Sequence, residues 1–273
     1  MQTINNDIKA KFGTQKGTYA LAYKNLQTGE EWGISDHTIF HAASTMKTPV
    51  MYEVYKQAAV GKFSLEDSIL LKNEFKSIVD GSQFTLNPDD DSETELYKHS
   101  GEKRTIRFLM YQMIIVSSNL ATNLIIEHVG AQNVMNTIRE LGIMDMKVLR
   151  GVEDSKAFAK GLNNSTTAHD LMLLFDIINE GRGVSKTASE EMIKILLDQR
   201  FNEIIPANLP AGTKVAHKTG SITGVQHDGG IVYLPDGKKY ILVLLSKGVE
   251  DEKATVGMMA EVSKMVYDYF LRK

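Results

Sequence analysis

The chain has 273 residues, 42% of them hydrophobic and 24% charged, an ordinary globular composition with enough apolar material for a large core. The net charge is −3 with basic residues spread along the chain, so nothing points to nucleic acid, and no apolar run reaches transmembrane length. Cysteine is absent, which excludes disulfides, thiolate catalysis and Cys-ligated zinc without identifying a compartment.

Ile4, Ile8 and Phe12 recur at helical spacing and predict a helix over 3–12. Residues 19–23 and 31–34 read as two short strands joined by a turn at Thr28-Gly29. From Ser44 to about residue 203 the pattern is mostly helical. Met51, Val54 and Tyr55 make one apolar face, 106–128 reads as one long segment with a buried run at 110–116, and 187–197 carries a stripe of Met192, Ile193, Leu196 and Leu197. Two polar loops interrupt this region. The first, 81–104, contains Asn87-Pro88-Asp89-Asp90-Asp91; it lacks the glycine and distal glutamate of an EF-hand and reads as a plain solvated loop. The second, 149–164, leads to Thr167 and Asp170, which predict a capping arrangement for the next helix.

Residues 214–217, 230–233 and 240–245 then read as strands, with Pro235-Asp236-Gly237 as the hairpin turn between the last two. A closing helix covers 254–271. Strands at both ends with helices between them predict an α+β fold: one antiparallel sheet flanked by terminal helices, with an all-helical lobe inserted. The α/β lobe spans 1–43 and 206–273 and the helical lobe 44–205. A site is expected in the cleft between them.

Three short strings carry chemistry. Ser44-Thr45-Met46-Lys47 puts a hydroxyl and an amine one helical turn apart, as a serine nucleophile needs a base within reach. The apolar approach Phe40-His41-Ala42-Ala43 places Ser44 at a helix N-terminus, where backbone N–H groups can hold an oxyanion. Pro49 then falls where a helix would lose a hydrogen bond, so an irregular first turn or a kink is expected. Ser117-Ser118-Asn119 follows a buried stretch: Ser117 suits proton transfer to a leaving group and Asn119 suits binding an amide. Lys218-Thr219-Gly220-Ser221 ends a strand, where a cation and a hydroxyl suit a substrate carboxylate and the Ser221 N–H suits an oxyanion. Each string alone is commonplace, as a capped helix, a loop or a solvated lysine. The seven histidines form neither His-x-His nor His-Glu-x-x-His, so no metal and no cofactor are called for.

Together with Leu209-Pro210-Ala211-Gly212 ahead of Lys218, these strings resemble the penicillin-recognising serine hydrolases, in particular the class A β-lactamase branch. The resemblance runs from about Phe40 to the C-terminus. It implies that Ser44 is the nucleophile, Lys47 its base, Ser117 the proton shuttle and Asn119 the ligand of a side-chain amide. Lys218 and Thr219, with Gly220, would hold the substrate carboxylate, and the N–H groups of Ser44 and Ser221 would form the oxyanion hole. Glu153, in Arg150-Gly151-Val152-Glu153, would activate the hydrolytic water. The implied partner is a β-lactam or peptidoglycan-like substrate, met by a monomer in the periplasm or outside the cell after removal of a signal segment, with a cytoplasmic protein as the alternative. A D-Ala-D-Ala carboxypeptidase or esterase, or a non-hydrolytic binding protein, are the other readings of the same scaffold. The chain departs from the family pattern in several places. Ser118 stands where an aspartate is usual, Ala157 where an asparagine is expected, and His217 where an acidic residue often precedes the lysine. Asn163 or Asn164 is a candidate to position water instead. Val225-Gln226-His227-Asp228 lacks the expected arginine, and the 81–104 loop is longer than usual.

Overall fold

Alternation governs the centre of the molecule. In the computed structural model, which describes residues 2–272, the run at 240–245 belongs to a nine-residue strand buried along almost its whole length. Successive side chains point to opposite faces. Tyr240, Leu242 and Leu244 pack with Leu21, Tyr23 and Val232 against one apolar cluster, while Ile241, Val243 and Leu245 pack with Ala20, Ala22 and Ile231 against another. A strand covered on both faces therefore reads as a continuous apolar run.

Five antiparallel strands form the sheet: β1 (Thr18–Asn25), β2 (Glu31–Ile34), β3 (Lys214–Ile222), β4 (Val225–Tyr233) and β5 (Lys239–Lys247), in the spatial order β2-β1-β5-β4-β3. Both ends of the chain meet at its centre, where Thr18 pairs with Lys247 and Asn25 with Tyr240. The helices of ten or more residues are α1 (Gln2–Phe12), α2 (Lys47–Ala59), α3 (Ile106–Ile115), α4 (Asn119–Val129), α5 (Ala131–Glu140), α6 (Ala168–Glu180), α7 (Lys186–Leu197) and α8 (Glu252–Leu271). Ile8 and Phe12 of α1 and Met259, Val262 and Val266 of α8 cover one face of the sheet. Leu171, Leu174 and Phe175 of α6 cover the other and join it to the helical lobe. Thr167 caps α6 as predicted, accepting from the Asp170 N–H at 3.0 Å.

Several expectations are corrected. β3 and β4 are longer than their apolar cores because His217, Lys218, His227 and Asp228 are buried within them and break the apolar pattern. The lysine motif forms the last part of β3, as expected, with Ile222 one residue beyond it. The inserted lobe is not all-helical: Ser68–Leu70 pairs with Lys103–Thr105, Phe75–Lys76 with Gln83–Phe84, and Phe40–His41 with Ser165–Thr166. The segment 106–128 is two helices, α3 and α4, broken at Ser117, whose φ of 57° no helix continues. Ser44 sits in a 3-10 turn, Ala43–Met46, and the α-helix begins only at Lys47. That start accounts for Pro49: as the third helical residue it lies in the first turn, where a missing N–H is least costly.

Candidate active site

The nucleophile turn is pressed against the free edge of the sheet. β3 has one neighbour, β4, so its other side faces the 3-10 turn. A Cβ on Gly220 would stand 3.0 Å from the Ser44 nitrogen, 3.2 Å from the Thr45 nitrogen and 3.2 Å from Ala43 Cβ. Only glycine allows this approach of backbone to backbone. Thr45 Oγ1 donates to Ala42 O at 2.6 Å and His41 Nδ1 accepts from the Ala43 N–H at 3.0 Å, so the turn is held from within.

Across the cleft, the break between α3 and α4 presents Ser117. Its hydroxyl lies 3.1 Å from Lys47 Nζ and 3.1 Å from Lys218 Nζ. Lys47 also donates to Ser117 O at 2.7 Å and to Asn119 Oδ1 at 3.0 Å. Lys218 donates to Thr219 O at 2.9 Å. Both lysines are fully buried. Burial lowers Lys47 to about 7, although the charges of Asp91 and Glu153 pull the other way. Burial, then the charge of Lys47, pushes Lys218 well below the usual lysine range, opposed by Asp228. Two amines sharing one hydroxyl form a short path along which a proton can pass.

Asn119 turns that path toward a carboxylate. Its Oδ1 takes the Lys47 bond, and its Nδ2 donates to Glu153 Oε1 at 2.8 Å. Glu153 has φ 62°, a costly conformation for a side chain of its size. Ser117, Glu153 and Ala43, with φ 44°, are three of the four non-glycine residues at positive φ among those described, and all three stand at this cleft. The loop just ahead of Glu153 is clamped by one amide. Asn123 Oδ1 accepts from the Val152 N–H at 2.6 Å, Asn123 Nδ2 donates to Val152 O at 3.1 Å, and a Cβ on Gly151 would collide with that same amide. Partial desolvation raises the Glu153 pKa; Asp91 and Asp90 raise it further, while bonds from Asn119 and the Asn87 backbone lower it.

Arg150 does not pair with Glu153. It donates to Leu162 O, Gly151 O and Asn163 Oδ1. Asn164 Oδ1 accepts from the N–H groups of Leu149 and Arg150, and its Nδ2 donates to Arg150 O. Asn163 and Asn164 thus help to close the loop, and Asn164 also lines the recess that holds Glu153. Ala157 is buried in a short helix capped by Asp154.

The 81–104 segment is not the solvated loop its composition suggests. Asp91 is buried, its Oδ2 accepting from the N–H groups of Asn119 at 2.8 Å and Leu120 at 2.9 Å. Asn87 reaches Glu153, and Ser92 lines the cleft beside Ser44, Ser117 and Thr219. No signal in the sequence separates Asp91 from its acidic neighbours.

Behind Lys218, His217 Nδ1 lies 2.8 Å from Asp228 Oδ1 and its Nε2 3.2 Å from Asn202 Oδ1, while Asp228 Oδ2 accepts from the Ile205 N–H at 3.0 Å. The buried acid that His217 displaces from its own position is thus supplied by the neighbouring strand. Where the arginine is expected, Gln226 Nε2 donates to Ser221 Oγ at 2.9 Å, and Lys253 of α8 lines the same recess. Ser44 stands between this recess, about 490 Å³, and a second of about 510 Å³ lined by His41, Asn119, Glu153, Phe158 and Ile222. Among the described residues no group of three His, Asp or Glu side chains is placed to hold a metal, and no helix is long and apolar enough to cross a membrane.

A sheet edge, an inserted helical lobe and a serine with two buried lysines between them define the penicillin-recognising serine hydrolase fold. The chain belongs to the beta-lactamase enzyme family, whose model matches residues 2–270. A beta-lactamase of Bacteroides uniformis is 26% identical, over 98% of this chain and 91% of its own. The extended-spectrum beta-lactamase PER-1 of Pseudomonas aeruginosa is 25% identical, over 95% of this chain and 84% of its own. Among solved structures, PBP-A superimposes with a TM-score of 0.87 at 25% identity, covering 100% of this chain and 97% of its own. A leucine-to-glutamate variant of PBP-A, solved as an acyl-enzyme complex with penicillin G, gives 0.86 at 26% identity, with coverage of 100% and 98%.

Proposed function

We propose that this protein is a serine β-lactamase that acylates on Ser44 and deacylates through Glu153. The observation that carries this is Asn119: one side-chain amide joins Lys47, the proposed base, to Glu153, a carboxylate in the same cleft. In acylation, neutral Lys47 takes the Ser44 proton as Ser44 Oγ attacks the lactam carbonyl. The oxyanion is held by the N–H groups of Ser44 and Ser221. As the C–N bond breaks, the proton passes from Lys47 through the Ser117 hydroxyl to the leaving nitrogen. In deacylation Glu153 takes a proton from water, which attacks the ester, and that proton returns to Ser44 Oγ as it leaves. Lys218, Thr219 and Ser221 receive the substrate carboxylate, with Lys253 as the further cation of that recess. Such a hydrolase works outside the cytoplasm, where its substrates are met, and acts as a monomer.

A second reading, a penicillin-acylated peptidase, draws on the likeness to PBP-A. The two part company at deacylation. Incubation with a chromogenic cephalosporin, following turnover and intact mass together, separates them. Turnover lost in Ser44→Ala, with deacylation slowed about 10²- to 10⁴-fold and an adduct accumulating in Glu153→Gln, supports hydrolysis. A persistent adduct on the native protein supports the peptidase instead.

A further inference from the structure

We propose that Asp91 is a positioning residue of the acylating site, fixing Ser117 and Asn119 by holding the first turn of α4 from a segment remote in sequence. The proposal rests on the hydrolase reading. A helix leaves its first N–H groups without internal partners. Here all are met: Asn119 and Leu120 donate to Asp91 Oδ2 at 2.8 and 2.9 Å, and Ala121 donates to Ser118 Oγ at 3.2 Å. Asp91 is itself fixed, since Tyr97 OH donates to the same oxygen at 2.8 Å and the Glu93 N–H donates to Oδ1 at 3.1 Å. Ser118 Oγ lies 3.5 Å from Asp91 Oδ2. The carboxylate that position 118 lacks is therefore delivered from outside, beside the same helix end.

Its charge also reaches the reacting groups. Asp91 faces Lys47 from α2 and Glu153 from the 149–164 loop, along with Tyr97, Glu93 and Asp90 of its own segment. It favours the protonated form of both Lys47 and Glu153, so loss of the charge alone would leave more Lys47 neutral and quicken acylation; slowing in its absence therefore reports on position and not on charge. A cap that served stability alone would leave acylation of the folded protein unchanged.

Asp91→Asn keeps the shape and removes the charge, and Asp91→Asn with Ser118→Asp returns a carboxylate to the helix end from the adjacent position. Acylation by penicillin G, followed by intact mass well below each unfolding midpoint, is expected to slow about 10- to 100-fold in the single variant, as for a lost charged hydrogen-bond acceptor. Amide exchange at Asn119 and Leu120 is expected to quicken, and the double variant to recover both. Unchanged acylation in Asp91→Asn overturns the proposal. So does a double variant that regains amide protection but stays slow. If the native protein takes no penicillin, it is the hydrolase reading that fails, and exchange alone decides: unchanged protection of Asn119 and Leu120 in Asp91→Asn overturns the positioning role.

Discussion

Gly220→Ala places a single methyl group between the edge strand and the nucleophile turn. The new Cβ would meet the Ser44 nitrogen at 3.0 Å, the Thr45 nitrogen at 3.2 Å and Ala43 Cβ at 3.2 Å, where ordinary contact begins at 3.4 Å. None of these neighbours is the far end of a flexible side chain. On its other side Gly220 is fixed by pairing with His227. Strand and turn must therefore part by about 0.4 Å, the shortfall at Ser44 against a normal van der Waals separation. The two proposed oxyanion donors, the N–H groups of Ser44 and Ser221, belong to the turn and the strand respectively, so the displacement enters their separation directly. Misplacement costs about 10²-fold per Å, which gives roughly fivefold to tenfold here. Loss of a whole oxyanion donor, about 10²- to 10³-fold, sets the upper bound. Overpacking adds a stability cost of about 1–3 kcal/mol, or a few degrees in the thermal midpoint. Stopped-flow acylation by a chromogenic cephalosporin measures the first effect and a thermal melt the second. Gly29→Ala is the control: its φ of 75° strains alanine, but nothing lies within 4 Å of the new Cβ. It should lose about 1–2 kcal/mol and keep its acylation rate. Wild-type acylation in Gly220→Ala, or acylation lost in proportion to stability in both variants, refutes the reasoning.

Two further predictions concern pH. Lys47, lowered to about 7, accepts a proton only when neutral, so single-turnover acylation should rise as pH increases through about 7; a flat profile across that range removes Lys47 as the base. Stability should rise over a neighbouring window. Lys47 and Lys218 have folded pKa values below the unfolded lysine value of about 10.4, so between about pH 7 and 10 the unfolded chain binds more protons and loses ground as pH increases. Above about pH 10 the trend should reverse, because burial holds Tyr23, Tyr55 and Tyr240 above the usual tyrosine value. Denaturant midpoints that stay constant from about pH 7 to 10 would show that the lysines are not held as described.

What the sequence made legible was whatever is local. Ser44 and Lys47 are three residues apart, and Lys218 to Ser221 are consecutive, so their chemistry stands out as short strings. The apolar alternation at 240–245 marks the central strand, and the prediction of strands from both chain ends meeting in one sheet is borne out. What escaped is long-range or conformational. Asp91 bonds to Asn119 and Leu120 across a wide sequence gap, and its composition matches that of a solvated loop. The strand beside Lys218, β4, reads too short from sequence because His227 and Asp228 look polar there and are sheltered only in three dimensions. The break at Ser117 needs a positive φ that no residue pattern announces in a serine. The spacing singles out Glu153 as a candidate, but no pattern announces the Asn123 amide that holds the preceding Val152.

The pairing of β1 with β5 also sets when this protein can begin to work. The nucleophile turn lies early in the sequence, ahead of most of the helical lobe. Lys218 meets Ser117 only after β3 has docked on β4 and β4 on β5, and β5 must itself find β1 from the opposite end of the chain. Contacts of such span close slowly, since the intervening chain must first give up its freedom. Reactivity at Ser44 therefore awaits closure of the sheet.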